Sequence, residues 1–196
     1  MSIEKANILT FVNSVLGRSE TDIDVQIQTV LNDLSKHNLL VDEDTDQSLS
    51  SGNTTLNYPT GFKELVAIVL NDGTYDGPPL KKIPGGHKEY RQWMEDETST
   101  DYSEPEWYSE YDSKFYVYHP ANGDYTATIE YYKYHPKDVD SIEFGDEFTN
   151  CLYFGTTFEV ACKLGLSRYI SIWGPRYEKE KQEMIDNSNQ QPYIVD

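Results

Sequence analysis

Thirty-four carboxylates, four histidines and two cysteines are the side chains with which this 196-residue chain could perform acid–base, metal or nucleophilic chemistry. Their spacing supports little of it. His37, His87, His119 and His135 have no partner at metal-ligand spacing, and no His-x-x-x-His falls on a helical pattern, which argues against zinc. Asp42, Asp44 and Asp46 match the first three ligand offsets of a calcium loop. The match then fails, with Gln47 where the loop needs glycine and Asn53 where it needs glutamate, so a solvated acidic strand or turn is the plainer reading. Gly85-Gly86 is the only glycine pair, and neither a P-loop nor a dinucleotide fingerprint is present. No GxSxG occurs, and neither cysteine stands beside a histidine.

Glu104 and Glu106 form the one arrangement with a catalytic counterpart. They lie among Tyr102, Trp107 and Tyr108, as a two-carboxylate glycan-cleaving site would. An acidic surface loop has the same composition, and in so acidic a chain some carboxylates must fall near aromatics. No catalytic, cofactor or metal residue is assigned.

The elements that would have to position such groups follow from composition and periodicity. Sixteen basic residues against 34 acidic ones give a formal charge of −18. A specific nucleic-acid partner needs a basic face, and an anionic membrane repels this chain. The mean hydropathy of −0.67 and the lack of a long apolar run argue against a membrane span. Residues 1–17 lack the basic, apolar and small-residue regions of a signal peptide. Aromatic residues make up 13%, too many for a disordered chain.

Residues 2–16 read as a helix through Ile8, Leu9, Phe11, Val12, Val15 and Leu16, closed by Gly17. A second helix, 21–37, carries Ile23, Ile27, Val30, Leu31 and Leu34, with Thr21 and Asp24 as a capping box. Residues 40–47 and 54–58 read as a weak hairpin, and 64–70 as a buried strand. Residues 77–86 are loop with a short strand at 80–83. Residues 87–94 are a short helix with Tyr90 and Trp93 inward, and 95–106 are an acidic loop. Runs 114–119 and 125–134 alternate with period two and read as an antiparallel hairpin. Its tyrosines, with Tyr108 and Tyr111, divide between core, cross-strand pairs and a surface that could bind protein or glycan.

After Pro136 a helix at 146–164 carries Phe148, Cys151, Leu152, Gly155, Phe158, Ala161 and Cys162 on one face, with Gly155 and Ala161 marking close helix contact. Cys151 and Cys162 would lie roughly 16 Å apart along it, too far for a disulfide, and read as small core residues in a reducing compartment. Residues 166–189 continue as a helix that Pro175 must kink or restart. The expected fold is α+β: an antiparallel helical bundle from residues 1–38 and 137–190, an inserted antiparallel β lobe at 39–136, and an extended tail at 191–196.

Three stretches carry a resemblance. They are the opening helix pair 8–34, the run Lys114-Phe-Tyr-Val-Tyr-His-Pro with Asn122-Gly-Asp-Tyr-Thr-Ala-Thr-Ile-Glu-Tyr-Tyr, and Leu152-Tyr-Phe-Gly-Thr-Thr-Phe-Glu-Val-Ala. Together they resemble the head-to-tail adaptor, or connector, proteins of short-tailed bacteriophages, the tubular-A type. Trp173-Gly174-Pro175 and the acidic loop depart from that pattern.

The resemblance implies a non-enzymatic virion protein, made in the host cytoplasm and seated at the head–tail junction. It would be a homo-oligomeric ring of about twelve copies, under the portal protein and above tail nozzle, tube or fibre proteins. Genomic DNA would pass through its channel without sequence-specific binding, and no cofactor or membrane is implied. Pro192, Tyr193, Ile194 and Val195 would form the portal-docking tail, ordering on contact. Carboxylates in the lumen would repel DNA phosphate, and the charge of −18 would delay self-assembly until a portal template is present. The alternatives are a glycan-binding or glycan-cleaving module for cell-wall entry, and an acidic mimic of DNA.

Overall fold

Left-handed residues and short polar links set the element boundaries. The computed structural model describes residues 3–96 and 102–190, with only the backbone of 189 and 190. The expected tail at 191–196 lies outside the described residues. Among them the fold is mixed α+β, with five α-helices, one 3-10 turn and two sheets. Their contacts divide into two units, one from Met1–Leu40 with Tyr134–Asp196, the other Val41–Lys133.

In the first unit, α1 (Lys5–Leu16) ends at Gly17, whose φ of 62° suits only a residue free of Cβ strain. The Asn13 amide then clamps the link to α2, donating to the Glu20 carbonyl and accepting from its N–H. Helix α2 (Asp24–Ser35) starts later than its sequence pattern indicates. No Thr21 capping box forms; Asp22 instead accepts the Asp24 N–H at 3.1 Å. A 3-10 turn (Asp146–Phe148) leads into α4 (Thr149–Lys163), and Gly165 at φ 66° separates it from α5 (Ser167–Gln190).

Helix α4 packs against α1, α2 and α5, so it is buried on more than one side. Thr156, Thr157 and Val160 are therefore interior although they lie off its apolar stripe. At Gly155 the helices come close: a Cβ there would stand 2.8 Å from the Tyr177 ring and 2.9 Å from Val30. Cys151 is buried and Cys162 exposed, so only the first is a core residue. Helix α5 runs through Pro175 as one element rather than restarting. Packing overrides the local cost of the missing N–H, with Trp173 and Tyr177 buried on either side of it.

Asp33 ties α2 to α5. It accepts hydrogen bonds from the Tyr177 hydroxyl at 2.8 Å and from Lys181 at 2.9 Å. Burial alone would raise its pKa, but Lys181 and Tyr177 outweigh burial and hold the carboxyl below its ordinary 3.8. A depressed pKa contributes stability that is complete above the unfolded value and is lost as pH falls through the folded one. Comparing urea midpoints at pH 7 and pH 3, the wild type should lose more stability than Asp33→Asn. Equal losses would show that the network contributes nothing to acid sensitivity.

The second unit is built from strands β1 (Val41–Leu49), β2 (Thr55–Asn57), β3 (Phe62–Asn71), β4 (Lys81–Lys82), β5 (Trp107–Tyr111), β6 (Lys114–Tyr118) and β7 (Tyr125–Lys133), with helix α3 (Gly86–Asp96). They form a three-stranded sheet, β1-β7-β3, and a four-stranded sheet, β2-β6-β5-β4. Leu49, Ile68, Leu70, Ala127, Ile129 and Tyr131 from one sheet share a core with Leu56, Tyr108, Phe115 and Val117 from the other.

This arrangement overturns two expected pairings. Strands β6 and β7 exist but do not form a hairpin, since each belongs to a different sheet. The period-two pattern identifies the inward residues and is silent on the neighbour. The connecting residues cross between sheets, with buried Ala121 bonded through its N–H to Asn53 and through its carbonyl to Gly52. Likewise β1 and β2 pair with β7 and β6, not with each other. The actual hairpin is β5–β6, turned by Asp112 and Ser113 at φ 49° and 58°. Strand β3 is an edge strand and only partly buried.

Both sides of the sandwich are closed. On one, Gly77 and Leu80 donate N–H bonds to Leu70 and Ile68 of β3, while Lys81 and Ile83 donate to Glu106 and Tyr108. On the other, the Gln47 side chain acts as a missing strand, bonding both the Asn57 carbonyl and N–H at 2.8 Å. Such closure hides edges that would otherwise recruit other strands. Gln47→Ala should cost about 1 kcal/mol, because both bonds are solvent-accessible. A shift in the chemical-denaturation midpoint checks this, and an unchanged midpoint would mean water replaces the amide fully.

Candidate functional site

The outer face of the four-stranded sheet is where the described residues gather aromatic and charged groups beside open space. Strand alternation fixes which side chains face outward: Trp107, Ser109 and Tyr111 on β5, Tyr116 and Tyr118 on β6. Helix α3 lies over them. Glu89 closes its N-terminus by accepting the Gly85 N–H at 2.6 Å. His87, Tyr90 and Trp93, three apart, then turn the same face to the sheet.

His87 stacks on Tyr111 with centroids 4.4 Å apart and planes 8° off parallel, and it also meets Tyr90 and Tyr116. Ser109 is fully buried beneath the helix, with its Oγ 3.2 Å from His87 Nδ1. Burial, with the Arg91 charge nearby, holds the imidazole pKa below its ordinary value, so His87 is neutral at pH 7. A groove of about 490 Å³ runs beside it, lined by Lys88, Arg91, Gln92, Glu95 and Tyr111.

On the other flank Trp93 stands edge-on to Trp107, with centroids 5.9 Å apart and planes at 87°, and lies 5.0 Å from Tyr118. Trp107 and Tyr118 are direct cross-strand partners. The Lys81 ammonium sits 5.4 Å from the Trp107 ring centroid. With Asp96 these three rings line a slot of about 350 Å³.

The residues singled out in the sequence do not converge on this surface. Trp107 is on the outer face, but Tyr108 points into the core, where burial pushes its hydroxyl up to about 12. Tyr102 is exposed and approaches Gly52. Glu104 is exposed, beside Gly77 and Tyr125. Glu106 is exposed and bonded through its backbone to Lys81 and Tyr118. These positions do not make a two-carboxylate cleft. The tyrosines divide: Tyr131 joins Tyr108 in the core, Tyr111 and Tyr134 are exposed, and Tyr116, Tyr118, Tyr125 and Tyr132 are half-buried.

Asp42, Asp44 and Asp46 lie along β1. Asp42 pairs with Lys133 at 2.6 Å and accepts from Tyr131, while Asp44 accepts from Gln47 at 2.8 Å. Among the described residues no three His, Cys, Asp or Glu side chains are grouped for a metal. His135 has a structural part that its sequence context did not reveal. Its ring Nδ1 lies 2.7 Å from the Pro136 carbonyl and its Nε2 accepts the Glu143 N–H, which fixes the tautomer in which Nδ1 carries the proton. Pro192, Tyr193, Ile194 and Val195 lie outside the described residues.

Among the described residues no helix is long and apolar enough to cross a membrane. The family model described as SU10 adaptor protein matches residues 5–157, which takes in the first three helices, the first part of α4 and every strand. No curated protein sequence matches the chain significantly.

Proposed function

This chain belongs to the SU10 adaptor protein family, structural proteins of the bacteriophage virion, and from that premise we propose that its copies form a ring joining the portal to the tail. The observation that carries this reading is the family match across residues 5–157. In the proposed arrangement residues 1–38 and 137–190 form the helical body of each subunit. Residues 39–136 are the inserted lobe that meets tail nozzle, tube or fibre proteins, and 191–196 reach the portal through Pro192, Tyr193, Ile194 and Val195. The ring extends the DNA channel, where an acidic wall keeps phosphate from sticking. The net charge of −18 supports a subunit that stays dispersed until the portal gathers it. Repetition around the ring then turns weak single contacts into firm attachment.

Mass photometry of the purified chain, alone and mixed with the portal ring of the same virus, tests the reading. The portal should gain mass in steps of one subunit up to about a dozen. Removing residues 191–196 should reduce occupancy at equal concentration. A portal that gains no mass at any concentration would overturn the adaptor assignment, and undiminished binding by the truncated chain would overturn the docking role of the tail.

A further inference from the structure

We infer that the slot between α3 and the β5–β6 edge is a binding site for a neutral saccharide. The inference goes beyond the adaptor reading and stands without it. Three aromatic rings from three elements meet there, Trp93 at 87° to Trp107 and at 56° to Tyr118, and all three are half-buried. A pyranose ring has apolar C–H faces that pack on indole and phenol rings, and a rim of hydroxyls that each donate and accept hydrogen bonds. The Asp96 carboxylate lines the slot as an acceptor for such a rim. The Lys81 ammonium, 5.4 Å from the Trp107 ring centroid, is a donor beside that ring. Its volume, about 350 Å³, lies at the small end of ligand sites and matches roughly one or two sugar rings.

The same groups select against other occupants. A proline-rich segment also packs on aromatic slots, but its prolines have no N–H to donate to Asp96, whereas every sugar hydroxyl can. An anionic glycan meets Asp96 and a chain of charge −18. The Glu104 and Glu106 pair does not line the slot.

Two of the chain's three tryptophans line the slot, and the third, Trp173, is buried in the helical unit. Intrinsic fluorescence of the full-length chain therefore reports on it. The chain would be titrated with the β-1,4 tetramer of N-acetylglucosamine, with maltotetraose, with heparin and with decaproline. A saturable change with at least one neutral tetrasaccharide is expected, with none for heparin. Trp107→Ala should abolish it. The exposed Asp96→Asn, which leaves packing intact, should weaken it about tenfold, as losing a charged hydrogen-bond acceptor does. Silence with both tetrasaccharides would overturn the inference. So would a change of equal affinity in both variants, or saturable binding of decaproline alone, which would make the slot a peptide site. None of these results depends on a portal, so failure here leaves the adaptor reading intact.

Discussion

Phe115→Ala is expected to destabilise the β unit by about 3–5 kcal/mol, the range for emptying an aromatic side chain from a packed core. Phe115 is fully buried, and its ring meets Tyr58 at 4.6 Å, Phe62 at 5.5 Å and Tyr108 at 6.1 Å. These neighbours belong to β3, β5 and the turn after β2. The cavity would thus open between the two sheets, where the two closed sides limit collapse onto it. Small domains are stable by only about 5–15 kcal/mol, so the loss is a large share of the whole. Urea unfolding followed by tryptophan fluorescence measures it, because Trp93 and Trp107 lie in this unit. A loss below about 1 kcal/mol would mean that the sheets close over the gap and that the shared core is not their main attachment.

Gly155→Val should be comparably damaging in the helical unit, at about 3 kcal/mol. The first added carbon would lie 2.8 Å from the Tyr177 ring, inside any real contact distance. Neither neighbour can yield cheaply. Tyr177 is buried with its hydroxyl held by Asp33, and Val30 is 1% exposed. Gly155→Ala is the more discriminating companion. Alanine gains up to about 1 kcal/mol in helix propensity over glycine. Overpacking costs about 1–3 kcal/mol, so the net effect remains a loss, smaller than for valine. A stabilised Gly155→Ala would show that α4 and α5 can move apart, and that glycine there is not required by packing. In the proposed ring either substitution should reduce assembly by depleting folded subunits.

The local chemistry of this chain is written in its sequence. Helical periodicity marks α1, α2, α4 and α5 because each buries a stripe, and glycines at 17 and 155 mark where backbone must turn left or come close. Strand alternation at 114–118 and 125–133 marks which residues enter the core. Partner choice is decided only in three dimensions. A period of two is satisfied by any neighbour of the same pleat, so β6 and β7 look like a hairpin although they lie in opposing sheets. The Asp112-Ser113 turn carries no glycine to signal it, and Gln47 substitutes for a strand through its side chain, which no pattern records. The aromatic slot is hidden for the same reason. Trp93, Trp107 and Tyr118 are far apart in sequence, and only the laying of α3 across the β5–β6 edge brings them together.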